Sequence, residues 1–121
     1  MGNNHPPKVA RLYELRNHER TACKQSKWPP VPHVKQHRAA LDFEEKVTAN
    51  RACWSARNKL WAWTRLMNGQ SIDNTIRDLD VQFDDDGVHL PGDMVYGRSW
   101  AHKYWDLCDE LIAMKSDPRL K

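Results

Sequence analysis

The longest helical pattern in this chain lies in residues 38–67, which read RAALDFEEKVTANRACWSARNKLWAWTRLM. At about 100° per residue, the apolar positions of a helix that begins near Val34 or Arg38 fall on two separate stripes. The first stripe comprises Phe43, Val47, Trp54 and Trp61, and the second comprises Ala49, Cys53, Ala56, Leu60, Trp63 and Met67. Asn68 and Gly69 supply the stop signal, because glycine readily takes the left-handed conformation that closes a helix. A helix with two apolar stripes packs against two neighbours, or against one neighbour and an outside partner, so we expect it at the centre of the fold.

Upstream of this segment, the sequence predicts a short helix followed by an extended strap. Residues 8–23 carry apolar side chains at helical spacing, and the prolines just before them suit a first helical turn. A helix this short is marginal alone and needs a surface on which to dock. Residues 27–32, KWPPVP, must be extended, because each proline also restricts the residue before it. We therefore divide the chain into an N-terminal arm, residues 1–33, and a helical core, residues 34–121.

Between Gly69 and the last helix, the sequence predicts a short helix and a hairpin. Ser71 is a suitable N-cap for a helix over 72–79. Apolar and polar residues then alternate on both sides of the turn-forming run DDDG at 84–87. Such a pattern is typical of a small β-hairpin, which we place at about 81–90.

The last helix is expected to begin near Ser99 and to end near Met114. Its apolar stripe comprises Trp100, Tyr104, Leu107, Cys108, Leu111 and Met114, widened by Trp105 and Ile112. Acidic residues occupy the opposite face, where solvent is expected. The predicted fold is mainly α, with three to four helices around a long central helix and one small β-hairpin.

Length and composition limit the class of protein. The chain has 121 residues, enough for one hydrophobic core but too few for two. Its apolar runs are only a few residues long, and its first residues lack the apolar stretch of a signal peptide. The three cysteines are widely spaced and odd in number, which argues against a disulfide framework. We therefore expect a cytoplasmic protein with no membrane partner.

The modest net charge of +3 hides a division between the two halves of the chain. Residues 1–69 hold 13 Lys and Arg against 5 Asp and Glu, whereas residues 70–121 hold 6 against 11. Such asymmetry bears on partners and association and not on fold. The halves either neutralise each other within one chain or pair between two chains, in which case head-to-tail association and a homo-oligomer follow.

No catalytic motif is recognisable in the sequence. Cys53 and Cys108 lie on apolar stripes, where a small buried side chain is the usual role. A reactive thiolate needs an electropositive, partly exposed setting, which only Cys23 has, beside Arg20 and Lys24. No Ser, Asp or Asn motif that would orient a base occurs near it, and no glycine-rich phosphate loop occurs. We expect a non-catalytic protein that needs no cofactor.

Two groups of residues match metal sites only in part. Four nitrogen or sulfur ligands of the kind that zinc accepts, with a spacing that follows no common zinc pattern, are His18, Cys23, His33 and His37. Four positions that align with a calcium loop around Gly87, but with the wrong first ligand and Asp in place of the last Glu, are Gln82, Asp84, Asp86 and Asp93. We expect no metal at either group, although the sequence leaves zinc at the His and Cys set open.

Residues 16–28, RNHERTACKQSKW, combine cations at helical spacing with a terminal aromatic ring. Such a face can neutralise phosphates and stack a base, or it can dock on the acidic half of the chain. Residues 60–79 have the lengths of a helix-turn-helix, but Asp73 and Asp78 on the second helix would face phosphates. The six tryptophans exceed what one core readily buries, so we expect Trp28 and one stripe of the central helix to be exposed.

These observations favour a small non-catalytic interaction protein: a regulator, an inhibitor or an assembly subunit. It would bind a protein partner or a protein–nucleic acid complex through its basic half and exposed Trp. Direct nucleic-acid binding by residues 8–65 is the alternative, and a metal- or cysteine-dependent enzyme is the third hypothesis. The expected partner-binding residues are Arg11, Arg16, Arg20, Lys24, Lys27, Trp28, Arg51, Arg57, Lys59 and Trp61.

Overall fold

The computed structural model describes residues 5–24, 26, 40–85 and 94–120 of the chain. Regular structure in that part consists of α1 (Pro7–Ala22), α2 (Ala40–Met67), α3 (Ile72–Asp85), α4 (Met94–Met114) and a C-terminal 3-10 turn (Pro118–Leu120). The mainly helical fold class expected from the sequence is confirmed. Within these residues, every helix is too short or too polar to cross a lipid bilayer.

Helix α2 lies at the centre of the fold, as its two apolar stripes predict. Helices α1, α3 and α4 each pack against it. Its Trp54 and Trp63 are both 0% exposed. The buried core around them comprises Leu15, Trp54, Ala62, Trp63, Ile72, Leu79, Leu107, Cys108, Leu111 and Met114. Residues from all four helices therefore share one hydrophobic core.

The turn between α2 and α3 follows the predicted signals. Gly69 has a φ of +96°, in the left-handed region that glycine enters without a steric cost. Its N–H donates to the Leu66 carbonyl at 3.1 Å, and the Gln70 N–H donates to the Arg65 carbonyl at 3.0 Å, which together form a Schellman cap. Ser71 Oγ then accepts a hydrogen bond from the Asn74 N–H at 3.1 Å and so caps α3.

The prediction of a first hairpin strand is wrong, because helix α3 includes residues 81–85. Three alternating residues are too few to separate a strand from a helix that already has apolar residues at Ile72, Ile76 and Leu79. Continuing the helix lets the Gln82 amide donate to Asn58 Oδ1 of α2 at 2.6 Å. The second half of the predicted hairpin, residues 86–90, lies outside the described residues.

Helix α4 begins at Met94, five residues before the expected start, and ends at Met114 as predicted. Leu107, Leu111 and Met114 on its predicted stripe are buried. Trp105 and Ile112, which were expected to widen that stripe, are instead 64% and 53% exposed. They lie beyond the edge of the face that α2 and α3 cover, so the stripe is narrower than predicted.

Helix α1 docks on α2 and on the C-terminal turn. Leu15 is its buried contact with the core, and Trp63 Nε1 of α2 donates to the Lys8 carbonyl at 2.8 Å. This docking surface is what so short a helix needs. The expected boundary of the N-terminal arm at residue 33 lies outside the described residues.

A disulfide joins Cys23, just after α1, to Cys53 in α2, across a sequence separation of 30 residues. The number and spacing of the cysteines argued against a disulfide framework, yet one disulfide is present. Cysteine number and spacing do not reveal which residues meet, whereas the antiparallel packing of α1 on α2 brings these two Cα atoms to 4.5 Å. Cys108 is the free cysteine in the described residues, and it is buried as predicted.

Candidate partner-binding surface

One side of α1 carries a row of cations with an aromatic ring at its start. Tyr13, Arg16 and Arg20 follow one another at three- and four-residue spacing, and Lys24 comes four residues later in the closing turn. All four are exposed, while Leu15 on the other side of the helix is buried. Residues at this spacing share one helix face, so the row extends over about 16 Å. We call Tyr13, Arg16, Arg20 and Lys24 the α1 strip.

The side chains of the α1 strip lie close to each other, to the His5 ring and to the Asn17 amide. The Arg16 guanidinium lies over the Tyr13 ring, 5.8 Å from its centroid, and the His5 ring is 5.1 Å from the Tyr13 ring. Arg20 donates to Asn17 Oδ1 at 3.4 Å. Among the residues that the structure describes, no carboxylate pairs with a cation of this strip. Within the described residues, the three charges of the α1 strip therefore have no acidic partner.

Arg11, which was expected to bind a partner, has a different environment. Its guanidinium pairs with Glu14 at 3.0 Å, and Glu14 also lies 3.8 Å from Arg119 of the C-terminal turn. Its Nε is buried without a hydrogen-bond partner in the described residues. Arg11 therefore belongs to the contact between α1 and the C-terminus.

Asp117 completes this C-terminal contact. Its carboxylate accepts hydrogen bonds from the Arg119 side chain at 2.7 and 2.9 Å and from the Arg119 N–H at 2.9 Å. These bonds, with the charges of Arg119 and Arg11, lower the pKa of Asp117 from 3.8 to about 2. The Arg119 guanidinium also lies 5.8 Å from the ring centroid of buried Trp63. We call Arg11, Glu14, Asp117 and Arg119 the C-terminal clamp.

The three cations and the Trp of α2 that the sequence predicts as partner-binding residues differ in exposure and in their contacts. Lys59 pairs with Glu110 of α4 at 2.9 Å, so it links the basic and acidic halves within one chain. Arg57 is exposed and Arg51 is half-buried. Trp61 is half-buried, with Arg65 stacked 4.7 Å from its ring centroid. The remaining two expected residues, Lys27 and Trp28, lie outside the described residues.

A second exposed surface lies on α4, and it includes two apolar residues that the sequence predicts on the packed stripe, Trp105 and Ile112. Trp105, Asp109 and Ile112 share one face at four- and three-residue spacing, and all three are exposed. Asp106 is exposed beside them. We call Trp105, Asp106, Asp109 and Ile112 the α4 patch. The signal for it was already in the sequence, because Asp109 lies within about 60° of both Trp105 and Ile112 on a helical wheel.

The cysteines lack the surroundings of catalytic thiols. Cys23, the thiolate candidate of the sequence reading, is bonded to Cys53, so that interpretation is wrong. Burial, and then the charges of Asp80 and Asp109, raise the pKa of Cys108 to about 11, which keeps it protonated. The disulfide also removes Cys23 as a zinc ligand. His33 and His37 lie outside the described residues, and within them no group of His, Cys, Asp and Glu could hold a metal ion.

The segment with helix-turn-helix lengths is built as two packed helices. Thr75 of α3 is fully buried, with its hydroxyl donating to the Ser71 carbonyl at 2.8 Å. Asp78 pairs with Arg65 of α2 at 3.0 Å. Asp73, Asn74 and Arg77 are the exposed residues in this part of α3, and Arg77 is bonded to Asn74. One cation beside an acid is a weak surface for a phosphate backbone.

Comparison with protein-family models, with curated proteins and with solved structures finds no match for this chain. Its function is therefore argued from the chemistry of these surfaces.

Proposed function

We propose that this chain is a small non-catalytic interaction protein, of the regulator, inhibitor or assembly-subunit kind, which binds an anionic macromolecular partner through the α1 strip. The observation that carries the proposal is the row of three exposed cations, Arg16, Arg20 and Lys24, next to the exposed Tyr13 ring. None of these cations has a carboxylate partner in the described residues. Cations that the fold leaves unpaired are the ones that attract an opposite surface.

The state of the cysteines supports the non-catalytic part of the proposal. Two of them form a disulfide and the third is buried with a raised pKa. A nucleophilic cysteine instead needs a lowered pKa and access to substrate. The buried polar side chains are also used in the fold: Asn58, for example, donates to the Trp54 carbonyl at 2.8 Å and accepts from Gln82.

An acidic protein surface is the partner class that the α1 strip fits best. Two of its three cations are arginines, whose planar guanidinium pairs with two carboxylate oxygens at once. Direct nucleic-acid binding is the second candidate, and the stacked Arg16 and Tyr13 favour it, since such a ring can also stack a base. A strip of three cations neutralises only a few phosphates, so nucleic-acid binding would be weak at physiological salt.

The test measures binding of two labelled probes, a poly-glutamate peptide and a single-stranded oligonucleotide, by fluorescence anisotropy over a series of salt concentrations. We expect the peptide to bind more tightly, and a variant with Arg16→Ala, Arg20→Ala and Lys24→Ala to lose binding. The matched control changes two exposed cations outside the strip, Arg77→Ala and Lys115→Ala, and keeps binding. Equal binding by the triple variant and the wild type, with both folded, would overturn the proposal.

The oligonucleotide separates the two partner classes. If nucleic acid is the partner, the oligonucleotide binds more tightly than the peptide does, and its affinity falls steeply as the salt concentration rises. The logarithmic slope then falls by about 2 in the triple variant, since each lost phosphate contact removes about 0.7. A slope that stays the same excludes the strip as a nucleic-acid surface.

The cytoplasmic location expected from the sequence stays a prediction, and one argument for it is gone. Absence of a disulfide was part of the case for a reducing compartment, whereas Cys23 and Cys53 are bonded. Disulfides persist mainly in oxidising compartments. Acid-quenching of intact cells, alkylation of the thiols in the denatured protein and mass measurement distinguish the cases. Three alkylated cysteines support the cytoplasm, and a single alkylated cysteine contradicts it.

A further inference from the structure

The α4 patch exposes an unusually apolar surface within an acidic setting. Trp105 is 64% exposed and Ile112 is 53% exposed, one on each side of Asp109 along the same helix face. The exposed positions between residues 102 and 113 include three acids but no Lys or Arg. Exposed Trp is typical of interaction surfaces, because its large ring buries much area at little cost in conformational entropy.

Helix α3 extends this acidic setting. Asp80 and Val81 are exposed on α3, which packs against α4. Both of these packed helices therefore carry exposed carboxylates. In the described part of the chain, Asp80, Asp106 and Asp109 form no ion pair with a Lys or Arg.

The α1 strip and the α4 patch do not neutralise each other within one chain. Helix α1 packs on α2 and on the C-terminal turn, whereas α4 packs on α2 and α3. In the described residues, the ion pairs that join the two halves use other residues: Lys59 with Glu110, Arg65 with Asp78, and Glu14 with Arg119. Two outward surfaces of opposite charge, each with an exposed aromatic ring, thus remain on one molecule.

We propose that the α4 patch of one copy docks on the α1 strip of a second copy, head to tail. This inference rests on the proposed function, because it names a partner for the α1 strip. Arg16, Arg20 and Lys24 would face the carboxylates of Asp106 and Asp109, and of Asp80 on α3, with the Tyr13 and Trp105 rings between them. Since the two surfaces differ, the contact is heterologous and produces a ring or an open chain of copies.

The test is sedimentation velocity of the full chain at about 50 mM and about 500 mM NaCl, where the screening length of exposed charges falls several-fold. The wild type should associate with rising concentration at low salt and return to monomer at high salt. Arg20→Glu damages only the strip and Asp109→Lys damages only the patch. Each variant alone should associate at least about tenfold more weakly, because like charges then face each other.

Mixing the two variants identifies the geometry. Arg20→Glu keeps an intact patch and Asp109→Lys keeps an intact strip, so an equal mixture forms the wild-type contact between unlike copies. At the remaining contact the introduced glutamate faces the introduced lysine, so the mixture should recover the association that each variant alone has lost. A mixture that remains monomeric, or a wild type that is monomeric at every concentration at low salt, would overturn the inference. Undiminished association of either single variant would also overturn it, since the contact would then lie elsewhere.

A further measurement separates failure of this inference from failure of the proposed function. Asp109→Lys retains the α1 strip and should bind the poly-glutamate probe at least as well as the wild type does. If the probe binds but the wild type does not self-associate, only the head-to-tail contact is excluded. If neither occurs, the α1 strip is not a binding surface and both proposals fail. Circular dichroism of each variant confirms that it is folded.

Discussion

The two halves of α1 use their charged residues differently. In the N-terminal half, Arg11 and Glu14 join the C-terminal clamp, and the Lys8 carbonyl accepts a hydrogen bond from Trp63. In the C-terminal half, Arg16 and Arg20 point outward without a carboxylate partner in the described residues. A disulfide ties that end of the helix to α2.

This difference shows that a count of cations in the sequence overestimates how many of them can bind a partner. Arg11 and Lys59 contribute as much to the positive charge of residues 1–69 as Arg16 does, yet each is paired with an acid of the same chain. Only a cation that is not paired with an acid of its own chain is left to bind a partner. Four sets of substitutions, each of which alters one contact of α1 or the α1 strip, follow in order of decreasing effect on the free energy of unfolding.

The largest effect is expected from removing the disulfide. The double change Cys23→Ser and Cys53→Ser opens a loop with a sequence separation of 30 residues. Because the unfolded chain then gains the conformational entropy of the open loop, the free energy of unfolding should fall by about 3 to 4 kcal/mol. Urea melts followed by circular dichroism measure it. Reductant should produce a similar loss in the wild type and none in the double variant; an unchanged wild type under reductant would mean that the bond does not stabilise the fold.

Next comes the hydrogen bond at the other end of α1. Trp63→Phe removes the indole N–H, leaves the Lys8 carbonyl without its 2.8 Å donor and opens space in the core. We expect a loss of about 2 kcal/mol in the free energy of unfolding. The same substitution at exposed Trp105 is the control and should change stability by less than about 0.5 kcal/mol. Equal losses at both positions would contradict the buried placement of Trp63.

A smaller and pH-dependent effect is expected from the C-terminal clamp. Because the pKa of Asp117 falls from 3.8 to about 2 on folding, its contribution is present above about pH 4 and is lost as the pH falls towards 2. The contribution is at most about 1 kcal/mol, as for other ion pairs near solvent. Urea midpoints between pH 5 and pH 2 should fall less steeply in Asp117→Asn than in the wild type. Arg119→Gln removes the guanidinium donors to Asp117, so its urea midpoint should also vary less between pH 5 and pH 2 than that of the wild type.

The smallest effect on stability is expected from the α1 strip. Changing Arg16, Arg20 and Lys24 to Ala removes three charges that the described fold does not use, so stability should change by less than about 0.5 kcal/mol per site. Thermal melting of the triple variant measures this, beside the loss of probe binding predicted above. A large drop in stability would show that these cations hold the fold together and are not reserved for a partner.

Several features of this fold were predictable because their causes are local. Helical periodicity marked all four helices, and Gly69 and Ser71 marked the turn between α2 and α3, since a cap depends on a few neighbouring residues. The end of α3 was predicted wrongly for the same reason. Residues 81–83 alternate locally, but a contact between Gln82 and Asn58, 24 positions apart, accompanies the longer helix.

The site was predictable in part. Arg16, Arg20 and Lys24 were named from the sequence and are exposed, whereas Arg11 and Lys59 were named on equal grounds and are paired with acids. The α4 patch was missed because Trp105 and Ile112 are apolar, and hydrophobicity alone assigned them to the core. How far the covered face of a helix extends depends on its neighbours.

A helical chain around one long central helix, with positive charge in its first half and negative charge in its second, could be inferred from the order of the residues alone. Periodicity and composition carry that information, and both are properties of the chain without its fold. Only the tertiary structure decided that Cys23 bonds to Cys53, that Trp63 is buried while Trp105 is exposed, and that the C-terminal clamp uses Arg11 while the α1 strip remains outward. These outcomes depend on which distant residues meet when α1, α3 and α4 pack on α2, and a pattern of spacing along the chain does not specify those meetings.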